Sequence, residues 1–237
     1  MQLKYKSYWR KSGLKGKWGN IFLERLSNYS PKNVLEIGVF CGVTAKNTCD
    51  FLYELNGSNF SYTGIDLFGI DQKDKRDEIK PNFLKDQKFS NPLKNIYYNY
   101  ILKENLNSIE SVQKLLQEYS KNIKLIAGDT NKVLKEIDLQ KIDFVFLDGG
   151  HSYETVTNDL MILYGGMKDQ KKVILCDDYG KESYIAEVEK AIDDFTKKNN
   201  LKFNLIENRF AEIITLENYS QSNFGKVSKT CKTLSDH

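Results

Sequence analysis

The sequence predicts an α/β fold: a Rossmann-like, doubly wound sheet of seven strands, mostly parallel, with an antiparallel strand pair closing one edge. Three observations predict it. Short apolar runs alternate with runs of helical period along most of the chain, the pattern of a parallel sheet covered on both faces. Nearly every apolar run ends in an acid. The last two runs stand too close together to leave room for a helical crossover.

The elements follow in order. Residues 1–30 read as a basic arm and a short helix. Lys4, Lys6, Arg10, Lys11, Lys15 and Lys17 stand there with no acid among the first twenty residues, and Pro31 marks the break after a helix over 20–29. The main domain is expected over 31–217, beginning with a strand at Val34–Ile37. Thr44–Leu55 follows as a helix with Ala45, Thr48, Cys49 and Leu52 on one face. Tyr62–Asp66 is the second strand.

Residues 69–100 are too long for a simple connection and read as an insertion, a candidate lid. Its Tyr97, Tyr98 and Tyr100 suit either stacking on an acceptor or packing the insertion onto the body. Asn105–Tyr119 is expected as a helix and Ile123–Ala127 as strand three. Ile142–Leu147 is strand four, and its helix carries Tyr153, Val156, Leu160 and Leu163 on one stripe. Val173–Cys176, a helix over Ser183–Lys198, and strands Phe203–Glu207 and Phe210–Leu216 complete the sheet. Residues 218–237 read as a flexible tail with little to bury.

The composition is that of a globular protein, 40% hydrophobic and 28% charged, and a net charge of +3 gives no global field for nucleic acid. No run approaches the ~18 apolar residues of a membrane span, and the N-terminus lacks the apolar run of a signal peptide. Cys41, Cys49, Cys176 and Cys231 are scattered with no CxxC pair. The expectation is a reduced, cytoplasmic protein with no membrane partner.

Open parallel sheets bind ligands outside the carboxyl ends of their strands. Here Glu36, Asp66, Asp129, Asp148 and the pair Asp177–Asp178 all fall at such ends. Any one alone is equally a turn or helix-capping residue; five strand ends on one rim argue for a ligand. In "VLEIGVFCG" the turn is GxxxG, Gly38 to Gly42, not the GxGxxG of a dinucleotide loop. Glycines there let backbone N–H groups approach a ligand, and the carboxylate of Glu36 suits an amino-bearing one. Asp66 stands where an acid would hold ribose hydroxyls, and "IAGDT" where an adenine edge would lie. Amino acid, ribose and adenine in that order describe S-adenosylmethionine; another nucleotide-binding Rossmann protein is the alternative.

"VLEIGVFCGVTAKN", "YTGIDLF", "IAGDT", "FVFLDGGHSYETVTNDL" and "VILCDDY" together resemble the class I S-adenosylmethionine-dependent methyltransferases, and within them the macrocin-type and catechol-type O-methyltransferases. The resemblance spans roughly residues 33–216. It implies that Glu36, Gly38, Phe40, Cys41 and Gly42 line the methionine end of the cofactor, with Asp148 also beside it. Asp66 would hold the ribose, and Asp129 and Thr130 would lie by the adenine.

In those O-methyltransferases an Asp after strand four and an acidic pair after strand five bind a divalent cation, and Asp148, Asp177 and Asp178 match those positions. Carboxylates suit Mg²⁺, or Mn²⁺ or Ca²⁺. Asp148 and His151 are then the catalytic candidates. His151 stands three residues after Asp148 and is placed to take the proton of an acceptor hydroxyl. Catechol-type enzymes have a lysine at that position, whereas some sugar-modifying macrolide O-methyltransferases have a histidine. The expected acceptor is therefore a small hydroxylated molecule, glycosyl in type.

Three rivals stay open: a metal-independent small-molecule enzyme, a nucleic-acid methyltransferase and a non-catalytic cofactor-binding module. The nucleic-acid reading draws on the arm with Tyr8, Trp9 and Trp18 but lacks the Pro-Pro-aromatic and Pro-Cys motifs. The arm serves equally as a lid or as the contact of a homo-oligomer.

Overall fold

A computed structural model describes residues 4–69, 87–180 and 186–216. Its sheet has seven strands in the order β3-β2-β1-β4-β5-β7-β6, namely β1 Asn33–Ile37, β2 Ser61–Asp66, β3 Ile123–Ala127, β4 Phe144–Leu147, β5 Val173–Cys176, β6 Phe203–Ile206 and β7 Phe210–Ile214. The first five run parallel, and β7 pairs antiparallel with both β5 and β6. Three residues join β6 to β7, too few for a crossover, so the pair must be a hairpin. The chain runs outward from β1 through β2 to β3, then returns to place β4 on the other side of β1, so strand order reverses between β1 and β4. That switch point is where a sheet of this kind opens a ligand crevice.

Period-2 alternation divides the core into two layers. Val34, Phe144, Phe146, Leu175 and Phe210 face one layer, covered by α1 (Lys17–Tyr29) and α2 (Val43–Asn56). Leu35, Val145, Leu147, Ile174 and Ile213 face the other, covered by α6 (Tyr153–Met167) and α7 (Ala186–Lys198). Burial on both faces explains why the strands read as continuous apolar runs. Between β2 and β3 lie α3 (Pro92–Ile96), continued by a π-helical turn over Tyr97–Ile101, and α4 (Ile109–Leu115). The short α5 (Thr130–Val133) follows β3.

Boundaries differ from expectation for identifiable reasons. Helix α1 begins at Lys17 because Gly16 takes φ +50° just before it. Two residues on, a side chain at Gly19 would collide with the buried ring of Tyr5. The helix expected over Asn105–Tyr119 is shorter: Ser108 caps it, accepting from Ser111 N–H at 3.2 Å, and a 3₁₀ turn ends it. Strand β4 starts at Phe144 rather than Ile142, since Asp143 Oδ2 accepts from the Lys32 and Asn33 amides at 3.0 and 2.8 Å. Of the expected insertion, residues 70–86 lie outside the described residues, as do 183–185 of the helix expected over Ser183–Lys198 and the expected tail.

The N-terminal arm folds onto its own chain. Tyr5 and Leu14 are buried in the α1–α2 layer. Arg10 Nη1 donates to the Cys41 carbonyl at 3.0 Å, and its Nη2 to Ser111 O, Ser111 Oγ and Glu104 Oε1 at 3.1, 2.9 and 3.3 Å. Among the described residues no helix is long and apolar enough to cross a membrane. Cys41, Cys49 and Cys176 are buried free thiols.

Candidate active site

The loop between β1 and α2 is built by close approach. Gly38 has φ +94°, and any Cβ there would overlap the carbonyl oxygen of Asp148 at the end of β4. Only glycine lets the two strand ends meet so tightly. Gly42, at φ +75°, caps α2. Phe40 between them also takes a positive φ, 50°. Its amide donates to Asp66 Oδ2 at 2.7 Å, while Phe68 N donates to Asp66 Oδ1 at 2.8 Å. Asp66, expected at a ribose, ties the glycine loop to the end of β2 through Oδ2, while Oδ1 holds the loop that follows β2. Burial raises its pKa even against those amide donors.

Glu36 lies one strand position below the loop and is buried. Its Oε2 accepts from Tyr62 OH at 2.7 Å, and its Oε1 meets no hydrogen-bond partner among the described residues. Burial lifts its pKa to about 8, against the lowering effect of Tyr62. Such an orphaned buried oxygen is costly unless a ligand cation answers it. Cys41 carries no such charge, since burial pushes its thiol up to about 12. Asp129 caps α5, accepting from the Asn131 amide and side-chain nitrogen at 3.0 and 2.9 Å, with Thr130 opening the helix.

Beside the glycine loop, the ends of β4 and β5 form a small acidic pocket lined by Asp148, His151, Asp177 and Asp178 with apolar walls from Val156 and Val188. His151 directly precedes Ser152, the N-cap of α6, which accepts from Thr155 N–H at 3.2 Å. His151 Nε2 stands 3.1 Å from Asp178 Oδ2. Asp178 is held in a left-handed conformation, φ +63°. Asp148, His151 and Asp178 each present a ligand atom, all within 4.8 Å of one another. Burial, then the neighbouring Asp177 and Asp178, raise the Asp148 carboxyl well above the usual range.

Asp177 is placed differently from its two neighbours. Arg209, the residue before β7, donates through Nε and Nη2 to its two oxygens at 2.5 and 2.6 Å. The guanidinium carbon lies 5.4 Å from the Trp18 ring. Burial alone would lower Arg209, but Asp177 overrides it and raises the pKa further. Of the three aspartates expected to hold a cation, Asp148 and Asp178 stand together with His151, while Asp177 is paired with an arginine. The sequence carried no signal for Arg209, which stands in an ordinary turn. Nor did it show that the arm crosses the site, where a Cβ on Gly13 would come within 3.6 Å of Asp148 Oδ2.

Comparison with known proteins bears on this geometry. The profile of a methyltransferase domain family matches residues 35–179. Solved structures share the fold. One is the O-methyltransferase TomG from Streptomyces achromogenes, involved in tomaymycin synthesis and bound to S-adenosylmethionine, with 12% identity over 86% of this chain and 82% of that one, TM-score 0.56. A second is the S-adenosylhomocysteine-bound methyltransferase PaMTH1 of Podospora anserina, with 14% identity, 84% and 79% coverage, and TM-score 0.53. A third is an O-methyltransferase of Bacillus cereus in complex with S-adenosylhomocysteine, with 10% identity, 88% and 85% coverage, and TM-score 0.51. At such identities the likeness is one of fold. A search of the curated proteins found no match.

Proposed function

The chain belongs to the methyltransferase domain family, and on that footing we propose that it transfers a methyl group from S-adenosylmethionine to a hydroxyl of a small polyhydroxylated or glycosyl acceptor. The observation that carries the reading is the double position of Asp148. Its backbone carbonyl abuts Gly38 of the glycine loop, while its carboxylate belongs to the group with His151 and Asp178. Cofactor cradle and acid–base group therefore share one residue.

The residues fit the cofactor. The orphaned Oε1 of Glu36 can answer the ammonium of its methionine end, and the side-chain-free face of Gly38 leaves the loop backbone open to it. Bound S-adenosylmethionine supplies a methyl group already activated on a sulfonium. Asp66 and the loop it clamps hold the cradle rigid before the cofactor arrives, which limits the ordering cost of binding.

His151 takes the proton. Asp178, 3.1 Å from Nε2, orients the imidazole, and its carboxylate stabilises the imidazolium that forms. Asp148 and Asp178 would hold a divalent cation, whose chemistry would be to acidify a hydroxyl brought to it. The His151 position favours the glycosyl class, by the resemblance to sugar-modifying enzymes.

One observation favours a metal-independent variant: the guanidinium of Arg209 already covers both oxygens of Asp177 and stands 3.9 Å from Asp178. Calorimetric titration with S-adenosylhomocysteine, followed by turnover on a glycoside panel with Mg²⁺ and with chelator, tests both. Micromolar binding and chelator-sensitive turnover support the metal-assisted form; chelator-resistant turnover supports the variant. Absence of cofactor-product binding under every condition overturns the reading.

A further inference from the structure

Helix α3 and its π-helical extension are built inside out. Leu93, Ile96, Tyr97, Tyr100 and Ile101 recur at i, i+3, i+4, i+7 and i+8, the spacing of a core-facing stripe. Here the stripe faces solvent, with Leu93 70%, Tyr100 71% and Ile101 65% exposed. The polar face is turned to the body instead. Asn99 Nδ2 donates to Asn95 Oδ1 at 2.7 Å and to the Gln87 carbonyl at 3.0 Å. Gln87 in turn donates to Asn99 Oδ1 at 2.9 Å and accepts from Leu106 N–H at 2.7 Å. Trp9 of the arm extends the stripe, 5.2 Å from the Tyr97 ring and 41% exposed.

We propose that a second copy of this chain docks on this face, the two helices packing antiparallel about a two-fold axis near Tyr97. The area fits. Trp9, Tyr97 (37% exposed) and Tyr100 expose roughly 300 Å² at about 200 Å² per whole aromatic side chain. Leu93, Ile96 and Ile101 bring the total to roughly 500 Å² at about 100 Å² each. A homodimer interface of about 800 Å² per partner, some 65% apolar, calls for about the same apolar area. The pattern is also self-complementary, as an isologous contact requires. The two-fold sets Leu93 against the partner's Ile101, and Lys94 against the ring of the partner's Tyr100. Lys103 falls opposite the partner's Asn91, so no like charges oppose.

The contact reaches the cofactor loop. On the inner side of the helix, Tyr98 packs with Cys41 and Leu106, and Phe40 lies against them. Holding this helix in a dimer therefore holds the loop that Phe40 and Cys41 belong to. This expectation differs from oligomerisation through the arm as a whole, because Tyr5, Arg10 and Leu14 are buried in their own chain and only Trp9 joins the face.

The test is sedimentation equilibrium of the full chain beside Tyr100→Glu and Ile101→Glu, both fully surface changes that leave the fold intact by circular dichroism. The wild type is expected at twice the chain mass, and each variant is expected to weaken association by ~30-fold or more, as loss of a central anchor does. A wild type that stays monomeric at its highest soluble concentration overturns the proposal, and so does a dimer indifferent to both substitutions. A monomer that co-sediments with vesicles of anionic phospholipid, through the same residues, would assign the face to a membrane surface instead and overturn it equally.

Discussion

Arg209 and Asp177 form a bidentate ion pair across 32 residues, Nε to Oδ1 at 2.5 Å and Nη2 to Oδ2 at 2.6 Å, at the shared edge of β5 and β7. The pair decides how the acidic rim is divided. It engages both oxygens of one carboxylate of the pocket, beside Asp148, His151 and Asp178, whose ligand atoms lie together.

Arg209→Met leaves Asp177 as a buried carboxylate without its cation. Breaking one side of a buried pair costs about 3–5 kcal/mol, to be read as a fall in the urea midpoint at unchanged slope. Asp177→Asn combined with Arg209→Met should recover much of that loss, because no buried charge then remains. A double variant as unstable as the single one would refute the ion-pair account.

Glu36 predicts the sign of a pH effect. Its pKa rises from 4.5 to about 8 on folding, so between these values the native state binds more protons than the unfolded chain. Its contribution to stability is fully present below pH 4.5 and is lost as pH rises toward about 8, with a slope of up to ~1.4 kcal/mol per pH unit. Glu36→Gln should flatten that segment of the profile. If Glu36 answers the cofactor's ammonium, S-adenosylhomocysteine binding at pH 7 should also release close to one proton, measured by calorimetry in buffers of different ionisation enthalpy.

His151→Ala should lower kcat by about 10²–10⁴, the range for removing a general base, while S-adenosylhomocysteine affinity stays unchanged. Asp178→Asn should fall between the two enzymes, because it loosens the imidazole without deleting it. Equal loss of cofactor affinity in both variants would remove His151 from the proton-transfer role.

Gly38→Ala and Gly165→Ala make a contrasting pair. A methyl at Gly38 collides with the Asp148 backbone at a left-handed φ, so cofactor binding and thermal stability should both fall. Gly165 sits inside α6 with nothing within 4 Å of its missing Cβ. There alanine should stabilise by about 0.5–1 kcal/mol through helix propensity, seen as a small rise in melting temperature.

The sheet was legible in the sequence because strand and helix periods are local properties. Val34–Ile37 and Val173–Cys176 announce themselves within four residues, and the hairpin follows from the two residues left between Phe203–Glu207 and Phe210–Leu216. The glycine loop was equally visible, since a positive φ selects its residue type on the spot. Helix α3 shows the limit of that reasoning. Its residues read only as part of an insertion, and apolar spacing cannot say which side the body will occupy; the hydrogen bonds of Asn95, Asn99 and Gln87 set that orientation.

Alternation and strand direction, both local, were enough to set the order of the seven strands and of α1, α2, α4, α6 and α7, and to gather Glu36, Asp66, Asp148 and Asp178 at the carboxyl rim. The tertiary structure alone decided the partners. Arg10 reaches Cys41 and Ser111, Arg209 takes Asp177, and Gly13 lies over Asp148. Each joins residues 30 to over 100 positions apart. Such contacts depend on the relative placement of packed elements, which no local period encodes.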